Sequence, residues 1–256
     1  MRLGSDPEYP VYNAQGELTM AIGKVGGSKR HPMPMSMGFV QEDGVMAEIN
    51  PPPADTLEEF IINTQGTMNA LDTLLESKGL SSRHVSCVRF TQEALMAAPE
   101  AMRFGCSPEV DAYSGEEFRP PSPRTTLRTG AGHIHVDDEV ARECPLILAK
   151  ALDLYLGIPS LLLDTSGAER RELYGRAGSI RHKDYGIEYR VLSNFWTADE
   201  KLISWVWQQV ERAIGHVKAS MDIPCTIQET ISNNDLSMAG DLCVFYSLLP
   251  CKEEIR

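Results

Sequence analysis

The chain has 256 residues, is 42% hydrophobic, and carries a net charge of −12 with a pI near 5.0. That length supports one large core, and the acidity excludes general nucleic-acid binding through a broad basic surface, though not a local basic pocket. No stretch approaches about eighteen apolar residues and the opening MRLGSDPEYP lacks an apolar signal region, so the expectation is a cytoplasmic protein without a membrane span.

In chain order, residues 1–12 read as a strand and NAQGE (13–17) as a turn. The stretch 22–39 is rich in Gly, Pro and Met, carries Lys24, Lys29 and Arg30, and reads as a mobile loop. Residues 43–53 form a strand stopped by prolines, and 54–79 a helix capped by Asp55 and ended by Gly79. A short strand follows near 85–90 and a short helix near 91–98. GCSPEV (105–110) echoes GSDPEY (4–9), and FRPPSPRTTLRTG (118–130) is a Pro-rich loop. GHIHV (132–136) reads as a strand, and 138–157 as a helix that Pro145 either kinks or starts. A strand opens at Gly186. A helix over 197–217 has Thr197 at its cap and Glu200 at the capping-box position. The last forty residues read as helices with loops. No linker divides the chain, so a single α+β domain over 1–256 is expected, with helices packed on a largely antiparallel sheet.

The six cysteines show neither C-x-x-C nor zinc-finger spacing and are expected to be reduced and mostly buried. Carboxylates recur at the ends of short strands instead: Asp6, Glu8, Glu48, Glu109 and Glu188. His133 and His135 alternate within one strand and so share a face. Together these residues describe an acidic face with imidazole support, which suits magnesium or manganese and equally describes zinc. Arg176, Arg181 and Arg190 add positive charge, as a site for nucleotide phosphates requires. In GIEYR (186–190), Ile187 and Tyr189 fall on one face and Glu188 and Arg190 on the other.

GRAGSIR…IEYR resembles the glutamine-synthetase signature, GAGHIHV its glycine-rich H-x-H strand, and DPE its early E-x-E strand. More closely, GSDPE, GGSKRHP, QEDGVMAEINPPPA, FGCSPEVDAYSG, GHIHV and LYGRAGSIRHKDYGIEYRVLSNFW resemble the phage-type carboxylate–amine ligases, the type 2 amidoligases of the glutamine synthetase and glutamate–cysteine ligase fold. The resemblance implies a glutamine-synthetase-like catalytic domain built on a curved antiparallel sheet with helices on one face. It implies an ATP-dependent enzyme, in the host cytoplasm if phage-encoded, that joins a small-molecule or peptide carboxylate to an amine. The route is an acyl phosphate, with release of ADP and phosphate. A nucleic acid would enter only as a modified-base substrate.

The resemblance also implies roles. Asp6, Glu8, Glu48, His133 and Glu188 would hold Mg2+ or Mn2+, with Glu109 added from the internal echo. His135 would stand beside the phosphates. Arg176, Arg181 and Arg190 would hold phosphate and substrate carboxylate, and Lys24, Lys29 and Arg30 would close over phosphate or substrate. Glu188 and Arg190 would each be partly uncompensated without ligand. Asp6 stands where that family has a glutamate. Two alternatives share the fold, a guanidino-kinase-like phosphotransferase and a non-catalytic nucleotide-binding relative.

Overall fold

The computed structural model describes residues 1–98, 101, 108–118, 126–164 and 166–250. The echo at 105–107, the centre of the Pro-rich loop (119–125), Cys106 and Cys251 lie outside the described residues.

The expected first strand is three: β1 (Arg2–Ser5), β2 (Glu8–Tyr9) and β3 (Val11–Asn13). Pro7 and Pro10 separate them, because proline has no N–H to give a ladder. After β4 (Leu18–Thr19), the segment 22–39 is a series of turns followed by β5 (Met33–Pro34). Gly27 has φ +74°, and a Cβ there would lie 2.6 Å from the Val40 carbonyl oxygen, so the turn requires glycine. Met33 and Met35 pack against a buried cluster that includes Tyr9, Val25, Val40, Ile49 and Leu71, so they serve the core. β6 (Phe39–Asp43) and β7 (Met46–Asn50) form a hairpin.

α1 (Leu57–Glu76) is capped by Thr56, not Asp55: Thr56 accepts from Glu59 N–H, and Glu59 closes a capping box. There follow β8 (Leu80–Ser82), β9 (Cys87–Arg89), α2 (Gln92–Ala97), β10 (Glu109–Asp111), β11 (Glu117–Phe118), β12 (Leu127–Thr129) and β13 (Ile134–Asp137). The helix expected over 138–157 is broken. α3 (Glu139–Glu143) stops at Cys144, Pro145 opens α4 (Pro145–Leu152), a π-helical turn spans Asp153–Gly157, and α5 (Ile158–Leu163) completes the run. α6 (Gly167–Arg171), β14 (Ser179–Lys183) and β15 (Gly186–Tyr189) lead to a 3₁₀ turn at Asn194–Ala198. That turn uses up the expected cap Thr197, so α7 (Glu200–Lys218) is capped by Asp199. α8 (Ile227–Ser232) and α9 (Leu236–Tyr246) close the described chain.

The architecture is the expected mixture of helices with antiparallel sheet. The largest sheet has the order β1-β13-β15-β14-β10-β11, and every neighbouring pair is antiparallel. Strand alternation divides it into two chemically distinct faces. Leu3, Ile134, Val136, Ile180, Ile187 and Tyr189 are buried in the same core as residues of α4, α5 and α7. A second sheet, β2-β7-β6-β5, puts Tyr9, Val40, Ala47 and Ile49 into a core shared with α1.

Contrary to the sequence expectation, Pro145–Leu163 is long and apolar enough to cross a membrane by length and composition. Its apolar window is 72% buried within the protein, which is the behaviour of a core helix. Among the described cysteines only Cys243 is buried, while Cys87 and Cys144 are half-buried and Cys225 is exposed; all four are free. The expectation of mostly buried thiols is therefore corrected.

Candidate active site

The face of the large sheet opposite its core carries polar rows, one of which runs through the site. Gly4 of β1 pairs with His135 of β13, His135 with Glu188 of β15, and Glu188 with Arg181 of β14. Gly4 offers no side chain, so His135 has room toward the strand edge, with its Cβ 3.5 Å from where a Cβ would stand. Asp6 sits at the corner where the chain leaves β1 for β2. Its Oδ1 lies 3.0 Å from His133 Nδ1 and its Oδ2 3.4 Å from His135 Nε2. Burial alone would raise the Asp6 carboxyl, but the two imidazoles outweigh it and hold the group well below the usual carboxylate range.

The two histidines differ in surroundings. His135 Nδ1 meets the Tyr185 hydroxyl at 2.7 Å, and the two rings stack. That contact orients Nε2 toward Asp6, and His135, Asp6 and Glu188 each place one ligand atom within 4.8 Å of the others. Burial lowers the His135 pKa, yet Asp6 and Glu188 together outweigh it and the net shift is upward. His133 precedes β13 and is almost fully buried. Its Nδ1 is 3.5 Å from Glu188 Oε1 and 3.3 Å from Arg190 Nη1, and its Nε2 is buried without a hydrogen-bond partner. Burial and the Arg190 guanidinium push its pKa down.

Glu188 is 1% exposed and ringed by cations. Arg181 Nη1 donates to both its oxygens at 3.1 and 3.2 Å, Lys183 Nζ is 2.7 Å from Oε2, and Arg190 Nη1 pairs with Oε1. Arg190, also buried, donates through Nε to Glu109 Oε1 at 2.9 Å. The expectation that Glu188 and Arg190 are uncompensated without ligand is corrected: the neighbouring strand supplies Arg181 and Lys183, and β10 supplies Glu109. Glu109 joins neither group of converging ligand atoms; one of its oxygens accepts from Arg190 Nε and the other from the Ser179 hydroxyl. Tyr174, which no sequence signal singled out, lies under this cluster with the Arg190 guanidinium 5.1 Å from its ring centre.

A second acidic group lies on the β2-β7-β6 sheet. Glu8 pairs directly with Glu48, and Glu48 with Gln41, so the three share a face opposite the apolar one. Asp43, two residues beyond Gln41, joins them: Glu8, Asp43 and Glu48 each place a ligand oxygen within 4.8 Å of the others. Like charges directly opposed across strands are destabilising. Burial first, then Asp43 and Asp6, raise the Glu8 carboxyl to about 8. Burial first, then Asp6, Glu8 and Asp43, raise Glu48 well above its usual value. Asp6, two residues before Glu8 in the chain, contributes to the upward shift of both.

Of the remaining predicted residues, Lys29 reaches the second acidic group, while Arg176, Lys24 and Arg30 are not gathered here. Arg176 is half-exposed, 3.7 Å from Asp111 and with its guanidinium 3.4 Å from the Phe118 ring centre, at the β10–β11 edge. Lys24 is exposed and bonded to the Thr19 hydroxyl, and Arg30 is exposed. Lys29 reaches Asp43 at 2.7 Å.

The donor sets fit divalent cations. The Glu8, Asp43 and Glu48 group is all oxygen, as magnesium and manganese prefer, and Asp6, His135 and Glu188 add one imidazole. A pH test follows. The Glu8 pKa is raised from 4.5 to about 8 on folding, so its stabilising contribution is present below 4.5 and lost as pH rises through about 8. The melting temperature of metal-free wild type should therefore fall relative to Glu8→Gln between about pH 5 and pH 8.5, and excess Mg2+ should remove the difference. Parallel melting curves across that range without metal would contradict it.

Comparison with solved structures gives a match titled "Crystal structure of novel glutamine synthase homolog", with TM-score 0.43, 11% identity, and coverage of 95% of this chain and 62% of that one. This chain thus spans less than two thirds of that protein. No curated protein matches. Residues 121–229, which hold His133, His135, Arg176, Arg181, Glu188 and Arg190, match the family model described as Phage phiEco32-like COOH.NH2 ligase-type 2, and through that segment the chain is assigned its family resemblance.

Proposed function

We propose that the protein is an ATP-dependent ligase that joins a carboxylate to an amine through an acyl phosphate, releasing ADP and phosphate. The observation that carries this reading is the pairing of two acidic groups, Glu8–Asp43–Glu48 and Asp6–His135–Glu188, beside the buried guanidinium of Arg190 and the partly buried one of Arg181. The family description of residues 121–229 supports the same reaction class.

The chemistry requires such a site. A carboxylate does not condense with an amine at neutral pH, because the oxygen to be expelled is a poor leaving group. Transfer of the γ-phosphoryl group to that oxygen makes phosphate the leaving group, and the amine then attacks the carbonyl carbon. Glu8, Asp43 and Glu48 would hold one divalent cation, and Asp6, His135 and Glu188 another. Bound there, the cations would neutralise the phosphate oxygens. Tyr185 would keep His135 Nε2 turned toward the cation. Arg181 and Arg190 would present fixed donors where negative charge develops on the transferring group, and loss of one such donor typically costs about 10²–10³ in rate. Glu109 and Ser179 would keep Arg190 in place. The buried surroundings of Glu188 and Arg190 would keep water from the acyl phosphate.

Nucleotide binding tests the reading. ATP is expected to bind in the presence of Mg2+ or Mn2+ and to bind far more weakly in chelator. Equal affinity in the two conditions would count against a metal-held nucleotide.

A further inference from the structure

The Lys29 ammonium lies 2.7 Å from Asp43 Oδ2, on a side chain that is 61% exposed. Its approach is built into the fold. The Glu42 carboxylate, facing away from Asp43 on the same strand, accepts from the N–H groups of Gly23, Val25 and Gly26 at 3.0, 3.2 and 2.8 Å. Lys78 Nζ donates to the Lys24 and Val25 carbonyls at 2.6 and 3.2 Å. Ser28 and His31 exchange backbone hydrogen bonds of 3.0 Å across the tip. The root of the turn is thus fixed, and Lys29 is carried at its tip above the carboxylates. Only its own side-chain torsions remain free to withdraw it.

Within the ligase reading, we infer that Lys29 is a tethered counter-ion of the Glu8–Asp43–Glu48 group, which an incoming divalent cation displaces and thereby frees to meet the anionic substrate. The reasoning is one of charge. Three carboxylates converge, two of them directly opposed across strands, and a primary ammonium stands against the third. A divalent ion coordinated by Asp43 takes the oxygen that Lys29 holds and repels the ammonium. Withdrawal needs no backbone movement, since the side chain is already more exposed than buried. Site filling and release of a positive charge toward the mouth of the site become one event. An ordered sequence follows, with the cation first and the polyanion second.

The test uses Mn2+ as the probe and the full chain without nucleotide. Mn2+ is titrated into wild type, Lys29→Gln and Lys24→Gln, with free ion read by electron paramagnetic resonance. Removing the competing ammonium should tighten Mn2+ binding roughly three- to tenfold in Lys29→Gln, the range of a partly exposed ion pair plus relieved repulsion. Lys24→Gln, which removes the same charge from the same turn but not from Asp43, should change it less than about twofold. In wild type, saturating Mn2+ should also raise acylation of Lys29 by an amine-reactive reagent, measured by peptide mass spectrometry, while Lys24 is unchanged. Equal gains in both variants, or unchanged Lys29 labelling, would overturn the displacement and leave the ligase reading standing. Absence of Mn2+ binding in all three proteins would overturn both.

Discussion

Glu188→Gln is expected to lower the melting temperature of the ligand-free protein and to abolish turnover. Glu188 is the anion that Arg181, Lys183 and Arg190 share, and it is 1% exposed. An amide of the same shape removes the charge and leaves at least the Arg190 guanidinium buried with less compensation. Removing one partner of a buried pair costs about 3–5 kcal/mol, which in a chain of this size is a fall on the order of 10 °C. The lost ligand and the repelled cations should also reduce turnover by at least about 10²-fold. Melting curves in chelator, beside an ADP-release assay, would check both halves. An unchanged or higher melting temperature would mean that the cations around Glu188 do not depend on it.

Glu48→Gln should give the opposite sign in the same assay. Glu48 is also buried, yet its directly paired neighbour is Glu8, and Asp43 adds a third negative charge. Relief of a directly opposed like-charge pair contributes roughly 0.2–1 kcal/mol, so the metal-free melting temperature should rise by about 1–4 °C near pH 8.5, where the carboxylates are more fully ionised. Added Mg2+ should then stabilise the variant much less than it stabilises wild type, and turnover should fall by about 10²-fold or more. The two substitutions are chemically identical and both remove a buried carboxylate. They separate a glutamate compensated by its own fold from one that awaits a cation. A fall in melting temperature for Glu48→Gln without metal would place Glu48 in the first class.

The contrast between these two residues was only half legible in the sequence. Period-two alternation in GIEYR placed Glu188 and Arg190 on the polar face, and β15 has that geometry. What compensates them depends on strand register. Arg181 lies opposite Glu188 through pairing of β14 with β15, and Glu109 arrives from β10, 81 residues before Arg190. No local pattern encodes such partners, so the same two residues looked uncompensated. Asp43 carries no local signal of its role either. The 43–53 segment reads as one strand, whereas in the structure Asp43 ends β6, pairs with Met46, and leaves Gly44–Val45 as the hairpin turn. The place of Asp43 beside Glu8 and Glu48 appears only once three strands are aligned. Arg176 is a different case: its place in GRAGSIR suggests a phosphate ligand, and in the structure its guanidinium lies over Phe118 and near Asp111. The element ends followed local chemistry that two adjacent candidates could satisfy. Asp55 and Thr56 both suit a cap, and the reciprocal bond with Glu59 selects Thr56. Lys150 and Asp153 interrupt the apolar run after Pro145. Asp153 is buried in the π-helical turn, accepting from Tyr113, Tyr189 and the Gly178 N–H, and burial raises its carboxyl to about 7.

In the proposed function, ATP drives amide-bond formation. The most direct measurement incubates the protein with Mg2+, ATP and pooled amines and carboxylic acids, then follows nucleotides and all new masses together. ADP and phosphate are expected in equal amounts, with a product whose mass is one amine plus one acid less one water. ADP accompanied by a phosphorylated acceptor, with no condensed product, would contradict the proposed function.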